Sequence, residues 1–448
     1  MMDKDCIYNV CEYLSTKDML KYSQICVFFY ESIMFNEDIM KTHIFTLKKS
    51  VHVKIFKQLP YKIFNINLNY GTYLQILTGN NHEHHNKYLL SDDDFEHFQG
   101  IYSLNMSNCN QNTITDKAFK YLRGIHTLNM SNCNQNTITD KAFRYLRGIH
   151  TLDMSNCNQN TITDEAFENL RGIHTLNISN CNQNTISDNA FKNFRGIYSL
   201  NMSNCNQNTI TNKAFEYLEG INSINISNCN QNNITDEAFY FLKNIYSVDM
   251  TNCKQNTITD RAFGYIRGIK KLNITNCNQK TITNEAFKKL RGIHTLCMNN
   301  CNQETITDNA FEDLESIHTL YISNCKQFTN NAFKNLQNIN SLVMYGCNQE
   351  TITDNAFKYL REIKTLNISH CNQNTLTDRA FKYFKNINFL DISYCNQNTI
   401  TDRAFKYLEC LEFLDISYCN QQTITHEAFK HLKNIRVLNM ISCNQITT

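Results

Sequence analysis

From Ile101 onward, apolar and polar positions recur along the chain with a period of 24 residues. One copy runs from Ile125 to Gly148, "IHTLNMSNCNQNTITDKAFRYLRG". Leu128 and Met130 alternate with Thr127, Asn129 and Ser131, the two-residue period of a half-buried strand. Polar "NQNT" follows Cys133 and predicts a turn, after which Ile138 points back inward. In "TDKAFRYL", Ala142, Phe143 and Leu146 share one face of a short helix, and Thr139 or Asp140 can cap it. Gly148 stands at the helix end, where a left-handed backbone is favoured. Across the fifteen equivalent positions, eight are Gly and four are Asn, the residues that best tolerate that conformation.

A single repeat offers too few apolar side chains to offset the entropy of ordering it. Stacking on identical neighbours completes each core, so the pattern predicts one repeat body built around a parallel sheet. Fifteen cysteines keep the same phase, from Cys109 to Cys443, with every step 24 residues except 22 after Cys325. No C-x-x-C pair accompanies them, which argues against zinc ribbons and thioredoxin-like sites. One cysteine per repeat reads as a small buried apolar residue, reduced in a cytosolic setting.

"LNMSNCNQNTITDKAFRYL" resembles the cysteine-containing leucine-rich repeat, L-x-L-x-x-C followed by I-T-D and an apolar helix. The resemblance covers 101–448. It implies an α/β leucine-rich-repeat solenoid, a curved parallel sheet with short helices on the outer side. "CKQFTNNAF", 325–333, lacks two residues and lies closer to the family spacing. Upstream, 49–100 reads as a linker and a degenerate capping repeat. Within it "IFNINLNYG" (63–71) matches "IYSLNMSNC", and "SDDDFEHF" (91–98) keeps the phase of "TDKAFKYL". The insertion between them carries His82, Glu83, His84 and His85, a polar run read as a solvated loop and not as a metal site.

Residues 1–48 have no repeat but show helical periodicity, so a small all-α domain is expected ahead of the solenoid. Asp5, Ile7, Val10, Leu14, Asp18, Met19, Leu20, Ser23, Ile25, Cys26, Phe29, Tyr30 and Ile39 fall in the order and spacing of an F-box, which the segment resembles. Met1 and Met2 stand where that family has Leu-Pro. The resemblance implies an adaptor of SCF-type ubiquitin ligases that docks a Skp-type linker, and through it a cullin. Ile7, Val10, Leu14, Met19, Leu20, Ile25, Cys26, Phe29 and Tyr30 would form the docking face. The alternative reading is a helical cap on a binding scaffold with no ligase link.

Composition adds little to this picture. The net charge of +2 gives no nucleic-acid or membrane footprint. No stretch approaches the roughly 20 apolar residues of a membrane span, and the N-terminus has no apolar signal core. A cytoplasmic protein is expected, and the Asn-rich style resembles giant-virus and amoebal proteins, which would make it the host cytoplasm. Gly-rich phosphate loops and nucleophile–base pairs are absent from the pattern, and His126, His150, His174, His294 and His318 recur because the repeat does. Neither an enzyme nor a cofactor is expected. A binding site is suggested by the outward strand positions. These are nearly all Ser, Thr, Asn or Asp up to about residue 280. Beyond that come Tyr321, Val343 and Tyr345, then Phe389, Asp391 and Tyr394, then Phe413, Asp415 and Tyr418. Aromatic residues without a packing duty on a sheet face mark anchors for a target protein.

Overall fold

The computed structural model describes residues 90–443 and Ile446, together with the backbone of two upstream strands, Ile44–Leu47 and Asn65–Leu68. The chain divides into two compact units, Met1–Ile221 and Asn222–Thr448.

In the first unit the strands form a parallel ladder offset by one repeat per step. Ile44–Leu47 pairs with Asn65–Leu68, which pairs with Ser103–Asn105. Thr127–Asn129, Thr151–Asp153, Thr175–Asn177 and Ser199–Asn201 continue it. The second unit repeats the arrangement from Ser223–Asn225 to Val437–Asn439, again parallel and in register. Each repeat strand from Ser103 on is only three residues long. Its middle residue is buried in every strand but the last, where Leu438 is half-buried, and its outer two are, with few exceptions, half-exposed, which is the expected alternation.

Up to the last repeat, where Phe429 and Leu438 are only half-buried and Met440 is exposed, each closes its core as the pattern requires. Leu128, Met130, Cys133, Ile138, Ala142, Phe143 and Leu146 are all buried. The helices are shorter than the apolar pattern suggests. Asp140–Phe143 is a single α-helical turn, and several copies, such as Asp308–Phe311 and Asp354–Tyr359, are 3-10 turns. One turn offers one or two backbone bonds, so small shifts decide between the two forms.

The cap of that turn separates Thr from Asp. Thr139 is the N-cap, and its hydroxyl accepts the Lys141 N–H at 3.2 Å. Asp140 does not cap its own helix, as the I-T-D pattern suggests it could. Its carboxylate accepts the Thr163 N–H at 2.7 Å and the Thr163 hydroxyl at 2.8 Å, both in the next repeat. The same clasp recurs from Asp92 to Thr115, from Asp164 to Ser187 and from Asp402 to Thr425. Each aspartate therefore staples one repeat to the cap of the following one. The short copy keeps its clasp, Asp308 to Thr329, while buried Phe328 takes the place of the usual isoleucine.

The cysteines form a buried column. Cys133 Sγ donates to the Met106 carbonyl at 3.2 Å, and Cys157 Sγ to the Met130 carbonyl at the same distance. Burial pushes the thiols up, Cys157 to about 12 and Cys347 to about 11. The thiolate, which is the nucleophile, is thus suppressed. Among the described cysteines only Cys410 is exposed, and half-buried Cys297 is pushed up to about 11, first by burial. Iodoacetamide at pH 7 should therefore label Cys410 alone among them, with the column reacting only after unfolding. Peptide mapping that finds rapid labelling of Cys133 or Cys157 in the folded chain would contradict this packing.

Two expectations need correction. Ile44–Leu47, at the end of the segment read as helical, is a strand paired with Asn65–Leu68. Gly148, at φ 81°, lies in the turn beyond the helix and does not cap it, because the helix already ends at Phe143. Of the four asparagines at the equivalent position only Asn244 has a positive φ. The constant left-handed position lies elsewhere, at the residue before the column cysteine: Asn132 at 60°, Asn156 at 58° and Asn324 at 58°. The residues expected to dock a linker, Ile7, Val10, Leu14, Met19, Leu20, Ile25, Cys26, Phe29 and Tyr30, and the polar-loop residues His82, His84 and His85, lie outside the described residues.

Candidate functional site

Three columns on the open side of the second unit's sheet all depart from the pattern at two adjacent repeats, the left-handed column having already changed from Gly346 on. The first strand position is Ser or Thr in most copies and becomes Phe389 and Phe413. These rings stack at 4.3 Å and 6°. The third position becomes Asp391 and Asp415, which are register partners on adjacent strands. The left-handed position, Asn in repeat after repeat up to Asn324, becomes Gly346, His370, Tyr394 and Tyr418.

The tyrosines carry a backbone cost. Tyr394 and Tyr418 sit at φ 57° and 58°, a region that L-residues other than Gly and Asn rarely adopt. Their rings stack at 4.4 Å and 11°, and both are more than a third exposed. His370 extends the row, stacked at 4.1 Å on Tyr394, and Tyr345 meets it at 4.6 Å. Strain retained beneath exposed rings is characteristic of functional positions. Desolvation and the neighbouring Tyr418 hold the Tyr394 phenol above the ordinary tyrosine range.

The two carboxylates have neutral partners. Asp391 accepts from Asn367 Nδ2 at 2.7 Å and the Ser393 N–H at 3.0 Å. Asp415 accepts from Asn439 Nδ2 at 2.8 Å, the Ser417 N–H at 2.8 Å and the Ser417 hydroxyl at 2.6 Å.

Of the residues singled out in the sequence, Phe389, Asp391, Tyr394, Phe413, Asp415 and Tyr418 come together, and Tyr345 joins through His370. Tyr321 and Val343 are register partners of each other at the third strand position. The strand Thr365–Asn367, with the generic polar pattern, separates them from the Phe389 group. His370 was not singled out, although its replacement of the repeat's asparagine was visible.

A second ring row, in the first unit, was also missed. Tyr102, His126, His150, His174 and Tyr198 stack in succession at 4.3, 4.5, 4.4 and 4.6 Å. The 24-residue recurrence of His already implied this column. Desolvation, then the adjacent His150, holds His126 below the ordinary histidine range. Among the described residues no group of three or more His, Cys, Asp or Glu could hold a metal ion, and no helix is long and apolar enough to cross a membrane.

A ladder of short parallel strands, a one-turn helix per repeat and a capped, clasped turn between them define a leucine-rich-repeat protein. The repeats match the BspA type leucine rich repeat region over 90–218, 208–340 and 304–436, so the chain belongs to that family. A search of curated protein sequences gives no match. Among solved structures, a leucine-rich-repeat protein of Leptospira interrogans superposes with a TM-score of 0.64 at 15% identity, covering 88% of this chain and 94% of its own. Toll of Drosophila in complex with Spatzle gives 0.63 at 13% identity, covering 89% and 54%. TLR13 in complex with ssRNA13 gives 0.59 at 16%, covering 89% and 56%. The chain thus spans a little over half the length of the Toll and TLR13 chains. At such identities these likenesses carry the fold alone.

Proposed function

We propose that this chain is a protein-recognition subunit whose repeat body holds a target protein on the face bearing Tyr345, Phe389, Asp391, Tyr394, Phe413, Asp415 and Tyr418. The observation that carries this reading is the coincidence of three departures from the repeat pattern on two adjacent strands, with strained backbone beneath the exposed tyrosines. Tyr321 and Val343 extend the contact surface toward the preceding repeats. Toll and TLR13 are named in complexes with a protein and an RNA respectively. A protein suits this chain better, because paired carboxylates on the face repel phosphates. Buried column thiols such as those of Cys133 and Cys157, which donate to backbone carbonyls, suit a reducing compartment such as the cytoplasm.

The finer reading is a substrate adaptor of an SCF-type ubiquitin ligase, with Ile7, Val10, Leu14, Met19, Leu20, Ile25, Cys26, Phe29 and Tyr30 docking a Skp-type linker. What supports it is the F-box spacing over 1–48 and its position ahead of the repeats. Ubiquitin transfer would be performed by the other subunits, the adaptor acting by proximity. The test is co-purification of the tagged full chain from cell lysate. Linker and cullin are expected to accompany the parent chain and to be lost when Leu14 and Ile25 are changed to Asp. A folded parent chain that recovers neither would leave the repeat body as a binding scaffold without a ligase link.

A further inference from the structure

We propose that the partner enters this face through an extended segment carrying arginine; the inference rests on the target-binding reading above. Asp391 and Asp415 are register partners, so their side chains lie one strand spacing apart, ~4.8 Å. Like charges directly opposite each other across a strand pair are unfavourable. At the same third position the other aspartates, Asp153 and Asp249, have asparagine as register partner: Asn129 and Asn177 for the first, Asn225 and Asn273 for the second. Doubling the carboxylate is therefore a feature of this place in the fold, coincident with the aromatic pairs.

Among the described residues neither carboxylate has a cation within 4.0 Å; their partners are amides, hydroxyls and backbone N–H groups. The charge of the pair is left for an incoming group. The stacked phenylalanines stand two residues before the carboxylates on the same strand face, and the stacked tyrosines three residues after. The faces of each ring pair are turned largely toward each other, and the two pairs place apolar ring surface before and after the carboxylate pair along the chain. An arginine side chain fits that chemistry. Its methylenes lie along apolar ring surface, and its planar fork can reach acceptors on both strands at once. A lysine ammonium is a compact charge that bridges them less well. A phosphate or acidic segment is repelled.

The test is selection of a phage-displayed library of random peptides, roughly 12 residues long, on the immobilised full chain. Selected peptides are then titrated against two variants. Asp391→Asn with Asp415→Asn removes the charge but installs the residue that Asn367 and Asn439 already supply at this position, so the fold is retained. Phe389→Thr, Tyr394→Asn, Phe413→Thr and Tyr418→Asn removes the rings. Arginine enrichment is expected, with affinity falling about tenfold or more on the Asp→Asn pair, on replacing arginine by citrulline, and progressively with salt. Peptides that lose binding on the ring variant but show no arginine enrichment, or ignore the Asp→Asn pair, would overturn the arginine inference and leave the binding face standing. Peptides indifferent to both variants, or no peptide selected at all, would overturn both.

Discussion

Asp164→Ala should destabilise the chain by about 2–4 kcal/mol, whereas Asp164→Asn should cost less than about 1 kcal/mol. The alanine variant removes two bonds into the next repeat, from the Ser187 N–H at 2.7 Å and the Ser187 hydroxyl at 2.5 Å. Bonds to charged acceptors are the stronger kind, and this loss leaves the Ser187 amide without its side-chain acceptor. The asparagine variant has a precedent within the molecule. Asn284 Oδ1 accepts the Thr307 N–H at 2.9 Å while its Nδ2 donates to the Thr307 hydroxyl at 2.9 Å. Asn330 does the same with Thr353, at 2.8 and 2.9 Å. The clasp is thus a matter of matched donors and acceptors, and charge is dispensable to it. Because each repeat is completed by its neighbours, a weakened junction lowers the coupling on which the array depends. Urea melts of the full chain read the difference. Equal losses for both variants would assign the effect to charge, and a silent Asp164→Ala would show that the clasp is incidental.

The contrast between what was legible and what was not follows from reach. Strand, turn and helix phases were readable because Leu128, Met130, Ile138, Ala142 and Phe143 obey local periods, and all are buried as those periods demand. The cysteine column was readable because a fixed phase in a stacked body must be a column. The clasp was not, since Asp140 and its partner Thr163 are 23 residues apart and a helix-starting Thr-Asp reads equally well as a local cap. The left-handed glycine position was read correctly, with Gly148 at φ 81°, but the second such position, before each cysteine, was not. Both the glycine before each strand and the asparagine before each cysteine tolerate that backbone, and only the coordinates show that the asparagine position holds it throughout. On the proposed binding face, the alternation of strand positions put the aromatic residues on one side. What it could not supply was that Tyr394 and Tyr418 occupy strained positions, or that His370 bridges them to Tyr345.

Returning those positions to the repeat's own pattern should abolish target capture while leaving the thermal melt nearly unchanged. The variant is Phe389→Thr, Tyr394→Asn, Phe413→Thr and Tyr418→Asn. Threonine already occupies the first strand position at Thr365, and asparagine the left-handed position at Asn324. Each lost ring pair forfeits about 0.5–1.5 kcal/mol of stacking. Against this, asparagine accepts the left-handed backbone more readily than tyrosine, relieving strain on the order of 1 kcal/mol per site. The middle strand residues Leu390 and Leu414 and the column cysteines Cys395 and Cys419 remain untouched and fully buried, so the core is unchanged. The two opposing terms nearly cancel, which leaves binding as the only property with reason to change. Affinity capture from cell lysate, read by quantitative mass spectrometry against the parent chain, should show the bound set lost. Capture that survives all four changes would mean that the rings serve the solenoid and not a partner, and a melt that collapses with them would assign the strained tyrosines to folding.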